Sequence, residues 1–197
     1  MFFFMPFLDR VIVEFRVYHD GGTVMPNRLV WRLRNWIWKT ASPGYAAILT
    51  AVVPVKSLRY FLIDWFNFWL QRWAGVLLRA PKTSAADQLI RYPDRAGISA
   101  YTFSIWALPE ETYPVRLAEY YEFCRDYYRR RGYRCNLANV GYRIAQDDSS
   151  LFSYSADGPV MTLDPVSTGD PGWNEFLDAY NQFCSERDGV PLFNQTR

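Results

Sequence analysis

In this 197-residue sequence the residue with the most chemical promise is Arg143, set in the run NVGYRIAQDD between Tyr142 and Ile144. Strand alternation puts it on the face opposite those two neighbours and on the same side as Gly141. A glycine in a strand lets another group come close to the backbone. A guanidinium beside that gap offers rigid donors that stabilise negative charge developing on a planar ligand. The competing reading is an arginine paired with an acid on an exposed sheet face. Asp147 and Asp148 follow, but adjacent aspartates in a turn favour hydrogen bonds to their own backbone over paired acid–base work.

Other chemistry-bearing types are sparse. The single histidine, His19, sits in the turn-rich YHDGG and reads as a solvated turn residue. A Ser-His-Asp triad would have to use it, and no nucleophile-elbow glycines surround a serine. Cys124, Cys135 and Cys184 are an odd number at wide spacing, so neither a disulfide framework nor a zinc site is indicated. They read as free thiols of a reducing compartment, which gives a cytoplasmic expectation. No G-x-G-x-x-G, phosphate loop or H-E-x-x-H occurs, and no metal site is expected. With 22 Lys and Arg against 20 Asp and Glu, the net charge of +2 is too small to attract nucleic acid by bulk charge.

The elements that must position these residues differ between the two halves. Hydrophobic residues make up 50% of the chain, and 8 Trp, 14 Tyr and 14 Phe give it enough apolar area for a sizeable core. MFFFMPFLDR lacks the basic n-region and cleavage site of a signal peptide and reads as part of a strand. Residues 7–18 alternate as a half-buried strand, closed by the turn HDGG. GYAAILTAVVPV is apolar for only about a dozen residues, short of a bilayer span. In SLRYFLIDWFNFWLQRWAGVLLR, Phe61, Trp65, Phe66, Trp69 and Trp73 recur near helical spacing, which predicts one long amphipathic helix. Together with Trp31, Trp36 and Trp38 they allow three readings. The region is an aromatic core, a surface covered by another part of the same polypeptide, or a membrane-surface contact, since Arg with Trp suits an interfacial helix.

A polar, proline-containing stretch near residues 80–98 marks an internal boundary. Beyond it a strand is predicted over 101–108, then a helix capped at Thr112 with Pro114 in its first turn. Leu117, Tyr120, Tyr121, Cys124 and Tyr128 share one face of that helix, which ends at Arg129-Arg130-Arg131-Gly132. Strands follow near 137–145, near 151–155 and at VMTLD. A second helix then carries Trp173, Phe176, Leu177, Tyr180 and Cys184 on one face, and VPLFN is a last extended piece. The order β-α-β-β-β-α-β predicts an α+β fold. It is a ferredoxin-like split-βαβ antiparallel sheet with helices on one face, preceded by an aromatic-rich helical insertion.

The strand, the helix YPVRLAEYYEFC, NVGYRIAQDD, SSLFSYSADGPVMTLDPV and GVPLFNQT together resemble the cap or substrate domain of FAD-linked oxidases of the vanillyl-alcohol-oxidase superfamily. The likeness is greatest to bacterial relatives of alditol and aldonolactone oxidases. It covers residues 99–197, and FMPFLDRVIVEFR more loosely. It implies residues 1–20 as a strand leaving an FAD domain, 21–98 as the aromatic-rich helical insertion and linker, and 99–197 as the cap. Arg143 matches the family arginine that faces the flavin, with Asn194 and Gln195 as amide partners on the cofactor. Asn139, Tyr142, Phe152, Tyr154 and Phe193 would shape the substrate pocket. Gly141 stands where the pattern has a glutamate, and Gln195 where it has a lysine. The implied function is oxidation of a CH–OH substrate, an alcohol, sugar or lactone-like molecule, with hydride passing to flavin N5. The FAD-binding domain would be the partner, in the same polypeptide or a split one, and this chain alone would bind FAD poorly. The alternatives are a non-catalytic membrane-associated or binding module that uses the Trp-rich half, and an inactive truncation product.

Overall fold

A computed structural model describes residues 1–15, 29, 32–33, 36–77, 102–150 and 153–192. His19, Trp31, Phe152, Phe193, Asn194, Gln195 and the boundary expected at 80–98 lie outside the described residues. In chain order the elements are strands β1 (Phe2–Met5) and β2 (Arg10–Val13), then a π-helical turn (Ile37–Ala41) that runs into helix α1 (Ser42–Val52). Helix α2 (Lys56–Leu77) and strands β3 (Thr102–Phe103) and β4 (Trp106–Pro109) follow, then α3 (Tyr113–Arg131), β5 (Asn139–Gly141) and β6 (Arg143–Ile144). The chain closes with β7 (Val160–Leu163), β8 (Val166–Ser167), α4 (Trp173–Ser185) and β9 (Val190–Pro191). It is a mixed α+β protein with antiparallel sheets, and it divides into two units, Met1–Val13 with Tyr101–Arg197, and Glu14–Ala100.

In the first unit, four strands pair in the order β6-β7-β4-β9, every neighbour antiparallel. Trp106 and Leu108 alternate on β4 and, with Leu163 of β7, join one buried cluster. Tyr113, Tyr120, Cys124 and Tyr127 of α3 and Trp173, Phe176, Tyr180 and Cys184 of α4 complete it. Pro114 lies in the first turn of α3 and Gly132 closes it in the left-handed region at φ 67°, as their sequence signals predict, but Thr112 at the N-cap position makes no capping bond, its hydroxyl donating instead to Pro109 O at 3.4 Å. The N-terminal segment differs from expectation. Instead of one strand over 7–18, residues 2–5 and 10–13 form a hairpin, and β1 pairs with β5. The hairpin tip is held on α3, where Arg125 Nη2 donates to Pro6 O at 3.0 Å, and by Arg134, whose guanidinium lies 3.8 Å from the Phe7 ring centre. The strand expected at 151–155 is also revised: Tyr154–Asp157 is a turn, and residues 151 and 152 are not described.

In the second unit α1 packs on α2. Tyr45 stacks on Phe66 with centroids 3.9 Å apart, and the Ser42 hydroxyl donates to Asn67 Oδ1 inside the contact. Tyr60, Ile63, Asn67, Gln71 and Ala74 are buried, whereas Leu58, Phe61, Trp65, Trp69, Trp73 and Val76 are exposed. The aromatic-core reading therefore does not hold for Phe61, Trp65, Trp69 and Trp73. No helix among the described residues is long and apolar enough to cross a membrane.

The close approach expected at Gly141 comes from within the protein. In an ordinary ladder Tyr142 and Thr162 would exchange both backbone hydrogen bonds. Thr162 N donates to Tyr142 O at 2.8 Å, but Tyr142 N donates instead to the Thr162 hydroxyl at 3.0 Å. That frees Thr162 O to accept from the buried Tyr113 hydroxyl at 2.8 Å. The displaced carbonyl lies over Gly141, where a Cβ would also come within 2.7 Å of the Phe4 ring. Gly141→Ala should therefore cost about 1–3 kcal/mol by overpacking. Gly158→Ala, which meets nothing within 4 Å, should stay within about 0.5 kcal/mol of wild type. Urea unfolding of both variants checks this, and equal stabilities would refute the account.

Candidate functional site

Arg143 is carried by β6 at the outer edge of the four-stranded sheet, in register with Met161 of β7, which in turn faces Leu108 of β4. Two residues beyond Leu108, Glu110 reaches the same edge, and Glu110 N donates to Pro159 O at 3.1 Å. The carboxylate takes Arg143 in a two-pronged grip, Nε to Oε1 at 2.6 Å and Nη2 to Oε2 at 2.9 Å. Both side chains reach solvent, Arg143 at 54% of its full area and Glu110 at 31%. The Arg143 hydrogen bond, joined by its charge, lowers the Glu110 pKa, and Glu110 raises that of Arg143, so both stay ionised. The fork fixes the plane of the guanidinium and uses two of its five N–H donors.

The other expected site residues are distributed differently. Asn139 is buried on β5, its amide donating to Tyr120 Oη at 2.8 Å and accepting from Val166 N at 3.4 Å. Both ends of that amide serve the core beneath α3, so it is not pocket lining. Tyr142, next to Arg143, and Tyr154 are half-buried. Asp147 behaves as a turn residue: its Oδ1 accepts from Ser149 N at 3.0 Å and Ser149 Oγ at 2.6 Å, bonds that hold its pKa down. The thiols of Cys124 and Cys184 are pushed up to about 12 by burial, which leaves them poor nucleophiles. Among the described residues no group of three or more His, Cys, Asp or Glu is placed to hold a metal ion.

Sequence reading missed two acids. Glu110 lies 33 positions from Arg143, and only the β4–β7–β6 register brings them together. Asp164 directly follows β7 in a buried setting, and its backbone exchanges hydrogen bonds with Val140 at 2.8 and 2.9 Å. Its Oδ1 has no hydrogen-bond partner, and burial raises its pKa well above the usual carboxylate range against a weaker opposing bond from Thr162. The one sequence signal was an Asp closing the mostly apolar run VMTLD, which reads more simply as the start of a turn.

Compared with known proteins, the chain matches no family, no curated protein and no solved structure.

Because the folded state favours protonated Asp164, it binds more protons than the unfolded chain at pH values above the ordinary carboxylate pKa. Stability from this residue is then present in acid and falls as pH rises toward the raised folded pKa. Asp164→Asn keeps the shape and removes the charge. The variant should gain on wild type by up to about 1.4 kcal/mol per pH unit across that window, the linkage slope for one proton. Thermal melts of both proteins in mildly acidic and in neutral buffer measure the gap, and a gap independent of pH would show that Asp164 is ionised in the fold.

Proposed function

We propose that this chain is the cap portion of a cytoplasmic FAD-dependent oxidoreductase that oxidises a CH–OH substrate, an alcohol, sugar or lactone-like molecule. In this reading it works with a flavin-binding domain from the same polypeptide or a split partner. The observation that carries the proposal is the sheet order. With β5 and β8, which pair in other sheets, set aside, the order β6-β7-β4-β9 reads second, third, first, fourth along the chain, and we take this as support for a ferredoxin-like split-βαβ layout. At the edge of that sheet stands an exposed, oriented guanidinium with donors to spare.

These features fit a flavin in a specific way. When bound, the flavin would supply the acceptor for hydride leaving the substrate carbon. Arg143 would donate to the ring system where negative charge develops, and Glu110 would hold its plane. Since the carboxylate offsets the cation, direction rather than bulk charge is what Arg143 contributes. Tyr142 and Tyr154 would exclude water. Asn139 supports the pocket from the core.

The test uses the chain assembled with its flavin-binding partner and reads substrate-driven bleaching of the flavin by stopped flow. Arg143→Ala should retain flavin absorbance and slow reduction roughly 10²- to 10³-fold, the range for losing a donor aimed at developing charge. Glu110→Gln should slow it less, because the neutral amide still accepts from the guanidinium. An unchanged rate in Arg143→Ala would overturn the assignment.

A further inference from the structure

Helix α2 departs from the usual arrangement of a helix in water, where apolar side chains pack inward and polar ones face out. Its inward face buries Asn67 and Gln71 beside Tyr60, Ile63 and Ala74, and Gln71 Nε2 has no hydrogen-bond partner among the described residues. Its outward face carries Phe61, Trp65, Trp69 and Trp73, at steps of four residues, between 38% and 62% exposed. Leu58 and Val76 extend this stripe, and the exposed Ile48 and Val52 of α1 are apolar too. Single exposed apolar residues need no explanation, but a continuous aromatic stripe along a 22-residue helix marks an interaction surface.

Charge identifies what that surface meets. Residues 14–100 hold 12 Lys and Arg against 5 Asp and Glu, while the rest of the chain holds 10 against 15. Within residues 27–79 there are 8 basic residues and one acid, Asp64. On α2 itself Lys56 and Arg72 are the exposed bases, and a second copy of the helix would bring these like charges together. An anionic lipid surface offers opposite charge for the bases and a headgroup layer for the indoles. The arrangement of α2 suits that layer. Lys56 is exposed at its start, and the Arg72 guanidinium lies 6.0 Å from the Trp69 ring centre, within the stripe, on a stem long enough to reach outward.

We propose that the exposed aromatic face of α2 docks on an anionic membrane surface, with the helix lying in the interfacial plane rather than crossing the bilayer. The inference stands apart from the flavin reading, since it uses only residues of the second unit.

Flotation of the full chain with two vesicle types tests it: phosphatidylcholine alone, and phosphatidylcholine with phosphatidylglycerol in roughly equal parts. The wild type should float with the anionic vesicles, shift its tryptophan emission to the blue, and remain unbound to phosphatidylcholine. Lys56→Gln with Arg72→Gln should lower partitioning roughly thirty-fold, since each base near the surface contributes about a factor of five. Trp65→Ser, Trp69→Ser and Trp73→Ser together should abolish flotation while the far-ultraviolet circular dichroism is kept. If the triple variant fails to fold, the Lys56 and Arg72 variant still decides. Absence of flotation, equal binding to both vesicle types, or undiminished binding by the Lys56 and Arg72 variant would overturn the proposal. So would a concentration-dependent dimer, lost in the triple variant and indifferent to vesicles, which would give the face to a second copy.

Discussion

The carbonyl oxygen of Thr162 is the point on which the geometry of the larger unit turns. A buried phenol without a partner is costly, and Tyr113 on α3 finds its partner there. The sheet would ordinarily use that oxygen for Tyr142, so the helix can have it only if the Tyr142 amide is satisfied elsewhere. A threonine at 162 supplies its own hydroxyl for the purpose, and a glycine at 141 leaves room for the displaced carbonyl. Beyond this opening the strand divides in role. Residues 139–141 serve β1, while residues 143–144 pair only with β7 at the sheet edge. Arg143 is exposed where it follows the opening, and Glu110 can reach it because, among the described residues, no further strand lies outside β6.

The two units use their aromatic residues in opposite ways, a contrast that the overall composition hides. In the first unit Tyr120, Tyr180 and Phe176 are almost wholly buried, and the hydroxyls are committed: Tyr180 to Leu163 O, and Tyr120 as acceptor of the Asn139 amide. Each hydroxyl fixes the placement of a helix on the strand beneath it, beyond what area alone specifies. In the second unit the indoles of α2 are turned outward and the amides inward. Apolar burial stabilises the first unit in water, while the second keeps much of its apolar area unspent, which is the physical basis for giving it a surface role.

How far the sequence revealed this depended on how local each determinant is. The two long helices of the first unit were legible because their signals lie within one or two turns: Pro114, Gly132, and apolar residues at steps of three and four. Trp173, Phe176, Leu177, Tyr180 and Cys184 all fall in the core as read. The amino-terminal hairpin was not legible. Its turn depends on Asp9 at φ 50°, a conformation aspartate tolerates but does not announce, and FLDRVIVEFRVY alternates well enough to pass for one strand. The aromatic spacing of α2 was read correctly as helical. Which side of that helix faces its neighbour was beyond reach, because it rests on Asn67 meeting Ser42 across 25 positions. Arg143 stood out as an unusual strand residue, yet its partner was set by long-range register.

Acids, thiols and phenols in the first unit are sorted by depth, the buried Arg134 guanidinium on the Phe7 ring standing apart from them. Burial pushes the buried thiols, the core tyrosines and the Asp164 carboxyl toward their neutral forms at ordinary pH. At the rim the reverse holds: Glu110 and Glu119 are held ionised by arginines, Arg143 for the one and Arg187 with Arg116 for the other. A reaction that develops negative charge needs an ionised or strongly donating group beside it, and the core offers none aimed at open space. The Arg187 guanidinium donates to Glu119 and Phe183 O and lies 4.0 Å from the Phe183 ring centre, which ties it to the junction of α3 and α4. Arg143, like Arg10 of β2, is an exposed cation carried by a strand at a sheet edge, and its plane is fixed by the Glu110 fork. The exposed fork at the β6 edge and the exposed aromatic face of α2 are thus set apart by what holds them, an ion pair in the first unit and apolar area left in water in the second.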